Sequence, residues 1–308
     1  MDVVDFRYQA QVDLLLCVLP HVFQEEEFAL KGGTAINLFH RALPRLSVDI
    51  DLTYLRLDPR ETALQTIEEN LENLAERLKR FVPRVKRVVK RQPSGKTVGL
   101  IVEGVDSLVK IEPNRVIRGT VFPCEVKELH PGGVRFLGDD VYVKVKSLAY
   151  ADLFGGKICA ALDRQHPRDL YDVCLLLREE GFTRDVRKAF IVYLISHDRP
   201  LHELLDPRAK DIREIYEREL VGMVRESVPL DDLKKTLSRL VQIIHRDLTS
   251  DERIFLISFK EGQPRWDLLG ISGVDKLPAP AWKLENIKKM NTQKHKDAVR
   301  NLKNLLEK

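Results

Sequence analysis

The chain has 308 residues, 44% hydrophobic and 32% charged, with 51 Lys and Arg against 47 Asp and Glu and a formal charge of +4. That length suits one large domain or two ordinary ones. No apolar run approaches the ~18 residues of a membrane span, and the acidic start Met1-Asp2-Val3-Val4-Asp5 lacks the basic opening of a signal peptide. Cys17, Cys124, Cys159 and Cys174 stand far apart without a C-x-x-C pair. This argues against zinc-ribbon or thioredoxin chemistry and suggests reduced thiols in a cytoplasmic protein.

Apolar positions at Val4, Tyr8, Val12, Leu15, Leu16 and Leu19 predict an amphipathic helix. Phe28-Ala29-Leu30 then reads as a strand, Lys31-Gly32-Gly33-Thr34 as a tight turn, and Thr34 to about Arg41 as a helix. Ser47 to Tyr54 alternates, with Val48, Ile50 and Leu52 on one face and Asp49, Asp51 and Thr53 on the other. Asp58-Pro59 is expected to cap a helix carrying Leu64, Ile67, Leu71, Leu74, Leu78 and Phe81. Strands are expected over Arg84–Arg91, Thr97–Glu103, Leu108–Glu112 and Val121–Val126, with a short one at Tyr142–Val145. Pro93-Ser94-Gly95 marks a hairpin turn.

From Ser147 the pattern is helical: Ser147–Arg164, His166–Glu179, Arg184–Ser196, Ala209–Glu226 and Asp231–Asp247. Thr249-Ser250-Asp251-Glu252 reads as a capping box, and Trp282–Lys308 as a lysine-rich helical tail. The expected architecture is a mixed-sheet α/β domain (α+β in its broader class) over residues 1–146 and a helical domain over 147–308.

The most informative stretch runs from Lys31-Gly32-Gly33-Thr34 to Arg45-Leu46-Ser47-Val48-Asp49-Ile50-Asp51. Two carboxylates two apart on a strand share a face and repel, so the pair calls for a cation. Mg²⁺ suits it, because that ion takes carboxylate and phosphate oxygens together. Adjacent glycines let backbone approach a ligand closely, and a following helix start directs N–H groups at an anion. Phosphate and metal would meet in one place, as nucleotidyl transfer requires.

Gly-Gly/Ser-Thr followed by D-x-D on a strand resembles the signature of the DNA polymerase beta-like nucleotidyltransferase superfamily. The fuller strings L-K-G-G-T-A-I-N-L-F and R-L-S-V-D-I-D-L are closely similar to the AbiEii/AbiGii toxins of abortive-infection type IV toxin–antitoxin systems. The resemblance recurs at Gly156-Lys157-Ile158-Cys159-Ala160-Ala161 with Arg164 and Arg168-Asp169-Leu170-Tyr171-Asp172, and more weakly at Phe255 to Trp266. It implies a nucleoside triphosphate (NTP) substrate, Mg²⁺ or Mn²⁺, an RNA acceptor with the tRNA 3′ end as first candidate, growth arrest, and a cognate antitoxin as partner. It makes Asp49 and Asp51 metal ligands and Gly33 and Thr34 phosphate contacts, with Gly32, Lys31, Arg45 and Ser47 in the same nucleotide-binding signature. Arg45 either neutralises phosphate or pairs with an acid.

Lys157 becomes a triphosphate contact. Asp169 acts as base, orients Lys157 or joins helices; with Asp49, Asp51 and Lys157 it completes the expected catalytic set. A third metal-binding carboxylate is expected at Glu112, with Glu103 and Glu125 as other candidates. Fifteen residues lie between Gly33 and Asp49, longer than the superfamily norm.

Arg77 to Arg91 holds eight basic residues and no acid. Arg84, Lys86, Arg87, Lys90 and Arg91 are therefore candidate nucleic-acid contacts. A protein-modifying nucleotidyltransferase, a catalytically inactive nucleic-acid- or antitoxin-binding module and a two-metal nuclease are the alternatives. NTP dependence separates the nuclease from transfer.

Overall fold

The computed structural model describes residues 9–132 and 142–307. The expected helical positions Val4 and Tyr8, and Lys308 of the tail, lie outside them. The chain divides into two units: Met1–Leu153 with Gly222–Glu226, and Phe154–Val221 with Ser227–Lys308.

In chain order the first unit holds α1 (Gln9–Val22), β1 (Phe28–Lys31), α2 (Gly32–Thr34) continued by a π-helical turn (Ala35–His40), β2 (Ile50–Tyr54), α3 (Arg60–Phe81), β3 (Arg87–Arg91), β4 (Gly99–Glu103), β5 (Leu108–Asn114), β6 (Glu125–Glu128) and β7 (Lys144–Ser147). The strands form one mixed sheet in the order β3-β4-β5-β2-β1-β7-β6. β1 lies near its middle, and Phe28, Ala29 and Leu30 are all buried. α1 and α3 pack on each other and on the sheet. α3 turns Ala63, Ile67, Leu71, Leu74, Ala75 and Leu78 inward at helical spacing.

β2 is antiparallel to β1 and parallel to β5, which puts Lys31 opposite Asp51 and Asp51 opposite Glu112. Ile50 and Leu52 on β2, with Val109 and Ile111 on β5, are buried. Alternation therefore sends Asp51 and Glu112 to the other face.

Several expected elements differ in extent. The strand expected from Ser47 begins at Ile50, because the Asp49 carbonyl accepts the Thr34 hydroxyl at 2.5 Å. The strand expected over Val121–Val126 is instead Glu125–Glu128; the Val121 and Phe122 N–H groups donate to the Asp152 carboxylate, each at 2.9 Å. Asp58 does not cap α3: it accepts from the Tyr54 hydroxyl at 2.7 Å, and Pro59 stands at the N-cap without a side-chain bond. Phe81 is exposed rather than core. The strand expected at Tyr142–Val145 lies at Lys144–Ser147.

The helix α4 (Tyr150–Arg164) enters the second unit at Phe154. It is followed by α5 (Pro167–Glu179), α6 (Arg184–Ile195), α7 (Leu201–Leu205), α8 (Arg213–Glu219), α9 (Leu230–Asp247), α10 (Ser250–Glu261), α11 (Pro278–Lys288) and α12 (Thr292–Leu306). A side chain on Gly155 would meet the Phe190 nitrogen at 2.7 Å, so glycine there lets α4 and α6 pack closely. The capping box opens α10 as expected, with Thr249 and Glu252 bonded reciprocally. The tail is two helices rather than one, because Asn291 caps a new start by accepting from Gln293 and Lys294. The expected helix Ala209–Glu226 is helical only over Arg213–Glu219; Gly222, at φ 80°, and the four residues after it belong to the first unit.

Candidate active site

The glycine turn packs directly on the acidic strand. Gly32 has φ 75°, a left-handed conformation that favours glycine. A Cβ there would collide with the Asp51 carboxylate and lie 3.1 Å from its Cβ and Cγ. At Gly33 a Cβ would lie 2.6 Å from both Arg45 Nη2 and Ser47 Oγ. Both glycines are therefore needed for close approach of side chains from the following loop.

Thr34 locks that loop to the turn. Its hydroxyl donates to the Asp49 carbonyl and sits 3.2 Å from Ser47 Oγ, which can donate back. Asn37, fully buried, donates to the Gly33 carbonyl at 2.8 Å. Arg45 is buried and donates to its neighbour's carbonyl at Leu46 at 2.8 Å. The structure thus brings Gly32, Gly33, Thr34, Arg45, Ser47, Asp49 and Asp51 together, with Lys31 in register beside Asp51. Asp49 and Asp51 are both partly exposed.

Glu112 shares the acidic face of the sheet with Asp51 but is ion-paired to Arg91 at the end of β3. Among the described residues no three His, Cys, Asp or Glu side chains are grouped so as to hold a metal ion. The donor set fits a Mg²⁺ site of another kind: one or two carboxylates, with phosphate and water completing the shell. Asp49 and Asp51 supply those carboxylates. Of the other candidates, Glu103 ends β4 opposite Leu108 and Glu125 lies on β6.

Lys157 and Asp169 belong to the second unit, in a buried ionic cluster. Lys157 Nζ lies 2.9 Å from Asp169 and 3.0 Å from Asp172, with these side chains 8%, 2% and 1% exposed. Arg164 adds a bond to Asp169 at 2.5 Å. Burial pushes the Asp169 pKa up, but Lys157 and Arg164 outweigh it and hold the carboxyl well below the usual carboxylate range. Arg168 instead pairs with Glu219 at 3.1 Å.

Of the basic run, Arg84 pairs with Asp13, Lys90 with Glu72 and Arg91 with Glu112. Lys86 and Arg87 are exposed and carry no ion pair among the described residues.

Sequence reasoning missed a clasp on this site. Leu46 donates to the Met223 carbonyl at 2.8 Å, Arg225 to the Pro44 carbonyl at 2.9 Å, and Arg45 and Val224 form a β-bridge. The Arg225 guanidinium also donates to the Ala42 carbonyl at 2.5 Å. The segment Gly222–Glu226 thus pins the loop that lays Arg45 over Gly33. The available signal was Gly222 itself, an unfavourable residue inside the helix expected there.

The family described as nucleotidyl transferase AbiEii toxin, type IV TA system, matches residues 13–266. Among solved structures, the chain is similar to MenT4, a nucleotidyltransferase toxin from Mycobacterium tuberculosis H37Rv. The TM-score is 0.58 at 14% identity, over 96% of this chain and 94% of that one. At that identity the likeness shows the fold. No curated protein matches the sequence. No helix among the described residues is long and apolar enough to cross a membrane.

Proposed function

Since the chain belongs to the AbiEii nucleotidyltransferase toxin family, we propose that it moves a nucleotide from an NTP to an RNA hydroxyl, first of all that of the tRNA 3′ end. The observation that carries this reading is the packing of the Asp51 carboxylate on Gly32, with Thr34 tying the Asp49 backbone to the same turn. A phosphate-binding bend and an acidic pair occupy one corner of the sheet.

In the reaction the acceptor oxygen bonds to the α-phosphorus, the bond to the bridging oxygen of the β-phosphate breaks, and pyrophosphate leaves. Asp49 and Asp51 would hold the divalent ion, Mg²⁺ or Mn²⁺. Such an ion, when bound, neutralises phosphate charge and eases deprotonation of the acceptor hydroxyl. Gly33 and Thr34 present the turn to the phosphates, and Lys31 stands next to it. Arg45, braced over Gly33, adds fixed positive charge that need not reorganise as charge shifts toward the leaving group. Ser47 and Asn37 hold the turn through Thr34 and the Gly33 carbonyl. Lys157, whose charge the family resemblance directs at the triphosphate, is oriented by Asp169 and Asp172. Lys86 and Arg87 are the candidate RNA backbone contacts. A cognate antitoxin is the expected protein partner.

The test incubates the protein with each radiolabelled NTP, Mg²⁺ and total RNA. Label is expected in RNA, at the tRNA band, with transfer by Asp49→Ala and Asp51→Asn reduced by at least about 10³-fold, as for lost transition-state charge stabilisation. Folded Asp49→Ala protein with full activity would overturn the metal assignment. Label in a protein band and none in RNA would overturn the acceptor.

A further inference from the structure

The string Phe255 to Trp266, the last part of the sequence resemblance, has no place in the transfer chemistry. In the structure it builds a stiff helix end. The rings of Phe255, Phe259 and Trp266 pack with centroids 5.4 to 6.2 Å apart. Gly262 closes α10 at φ 87°, and Ser258 Oγ accepts the Arg265 N–H at 3.1 Å. On this end sits Lys260, 4% exposed, with no hydrogen bond or ion pair from its ammonium among the described residues. The adjacent Glu261 is occupied by Lys303 at 2.7 Å.

The groups around Lys260 are mostly cationic. Burial lowers its pKa and Lys294 lowers it further. Lys283 is depressed by burial and by Lys260, with Asp198 opposing. His202 is depressed by burial and by Lys260, with Glu203 opposing. Lys283 Nζ is already occupied, donating to the His197 and Asp198 carbonyls at 2.5 and 2.9 Å. His295 Nε2 is held by the Lys260 carbonyl at 2.7 Å. The Nδ1 atom of His202 is buried without a hydrogen-bond partner. A buried ammonium and a buried ring nitrogen without partners are costly unless an anion or another polar group completes them.

There is a route to them. His202 lines an open cleft of about 640 Å³ with Gln165, Arg199, Arg208 and Lys210. Its wall is stiff: Gln165 donates to the Arg208 carbonyl and accepts from the Lys210 N–H, both at 2.8 Å. Of the carboxylates on the same walls, Glu203 is taken by Arg199 at 3.0 Å and Asp206 faces solvent. The cleft is too large for a single ion and has room for a nucleotide of a strand.

We propose that Lys260, His202 and Lys294 form a receptor for a phosphate group, supplied by the backbone of the acceptor strand running past Arg208 and Lys210. The identity of the ligand rests on the RNA reading above; the site itself does not.

The test uses the full chain, Lys260→Met, and Lys260→Gln as a second variant should the first fail to fold. Thermal unfolding is followed with low-millimolar inorganic phosphate against chloride at matched ionic strength. Binding of a labelled single-stranded oligoribonucleotide is followed by fluorescence anisotropy. Phosphate is expected to raise the wild-type Tm by about 3 °C. The variants are expected to lose that rise and to bind the oligoribonucleotide about tenfold more weakly. A rise retained in the variants, or absent from the wild type, overturns the receptor. A phosphate effect that depends on Lys260, with oligoribonucleotide binding unchanged, overturns the strand as its ligand. Failure of RNA labelling alongside a Lys260-dependent phosphate effect strikes the acceptor reading and leaves the receptor standing.

Discussion

At the scale of single residues, Gly32 and Lys157 make separable demands. Gly32 combines a left-handed backbone with a carboxylate where its Cβ would go. Gly32→Ala is therefore expected to cost about 1–3 kcal/mol in urea unfolding and to reduce transfer by displacing Asp51, whereas Gly95→Ala, equally left-handed but with open space around it, costs only the backbone term. Equal losses at the two positions would show that Asp51 does not depend on the turn. Lys157 balances two buried carboxylates, and Lys157→Met leaves them uncompensated except by Arg164. A loss of about 3–5 kcal/mol is expected. The sign with pH follows from Asp169, whose pKa is lowered in the folded state. Its contribution is present above the unfolded value of about 3.9 and lost as pH falls through the folded one. The gap between wild type and variant, measured by urea unfolding from neutral to acid pH, is thus widest at neutral pH and narrows below about pH 4. A gap independent of pH would show that Lys157 acts by packing alone.

At the scale of elements, legibility depended on whether a hydrogen bond leaves a local trace. The β1–turn–β2 unit was readable because Phe28 to Leu30, two glycines and the alternation through Asp51 are all local patterns, and the register of Lys31 against Asp51 follows from them. The start of β2 was not, because the Asp49 carbonyl bonds a threonine hydroxyl across the turn. The clasp was least readable: it joins Pro44–Leu46 to Met223–Arg225 by backbone bonds between distant segments, to which side-chain periodicity is blind. Arg225→Pro removes the N–H given to Pro44, while Arg225→Ala keeps it and loses only the contact to Ala42. If the clasp positions Arg45, Arg225→Pro is expected to raise KM for the NTP about tenfold and Arg225→Ala about twofold, the cost of one or part of one backbone bond passed to the phosphate site. Steady-state kinetics with both proteins, checked for equal Tm, decide this; equal KM values would make the clasp purely structural.

At the scale of the whole molecule, charge balance governs how the chain meets a polyanion. The eight cations of Arg77 to Arg91 read as one positive strip, yet Arg77, Lys79, Arg84, Lys90 and Arg91 each face a carboxylate in the fold. Those carboxylates, Glu25, Glu76, Asp13, Glu72 and Glu112, come from other parts of the sequence, so the run alone overstated the field. β3 is also an edge of the sheet, where charged side chains guard an unpaired strand against aggregation. What remains for RNA is the exposed pair Lys86 and Arg87. If these two touch backbone phosphates, the double reversal to Glu weakens RNA binding uniformly across sequences and lowers the slope of log affinity against log salt by about 2. Reversal of Arg84 and Lys90 instead breaks ion pairs with Asp13 and Glu72 and shows chiefly as lost stability, modest because both pairs are partly exposed. Anisotropy titrations over a range of salt separate the two cases: an unchanged slope for the Lys86 and Arg87 reversal would assign the strip to edge protection and leave RNA docking to other cations of the chain.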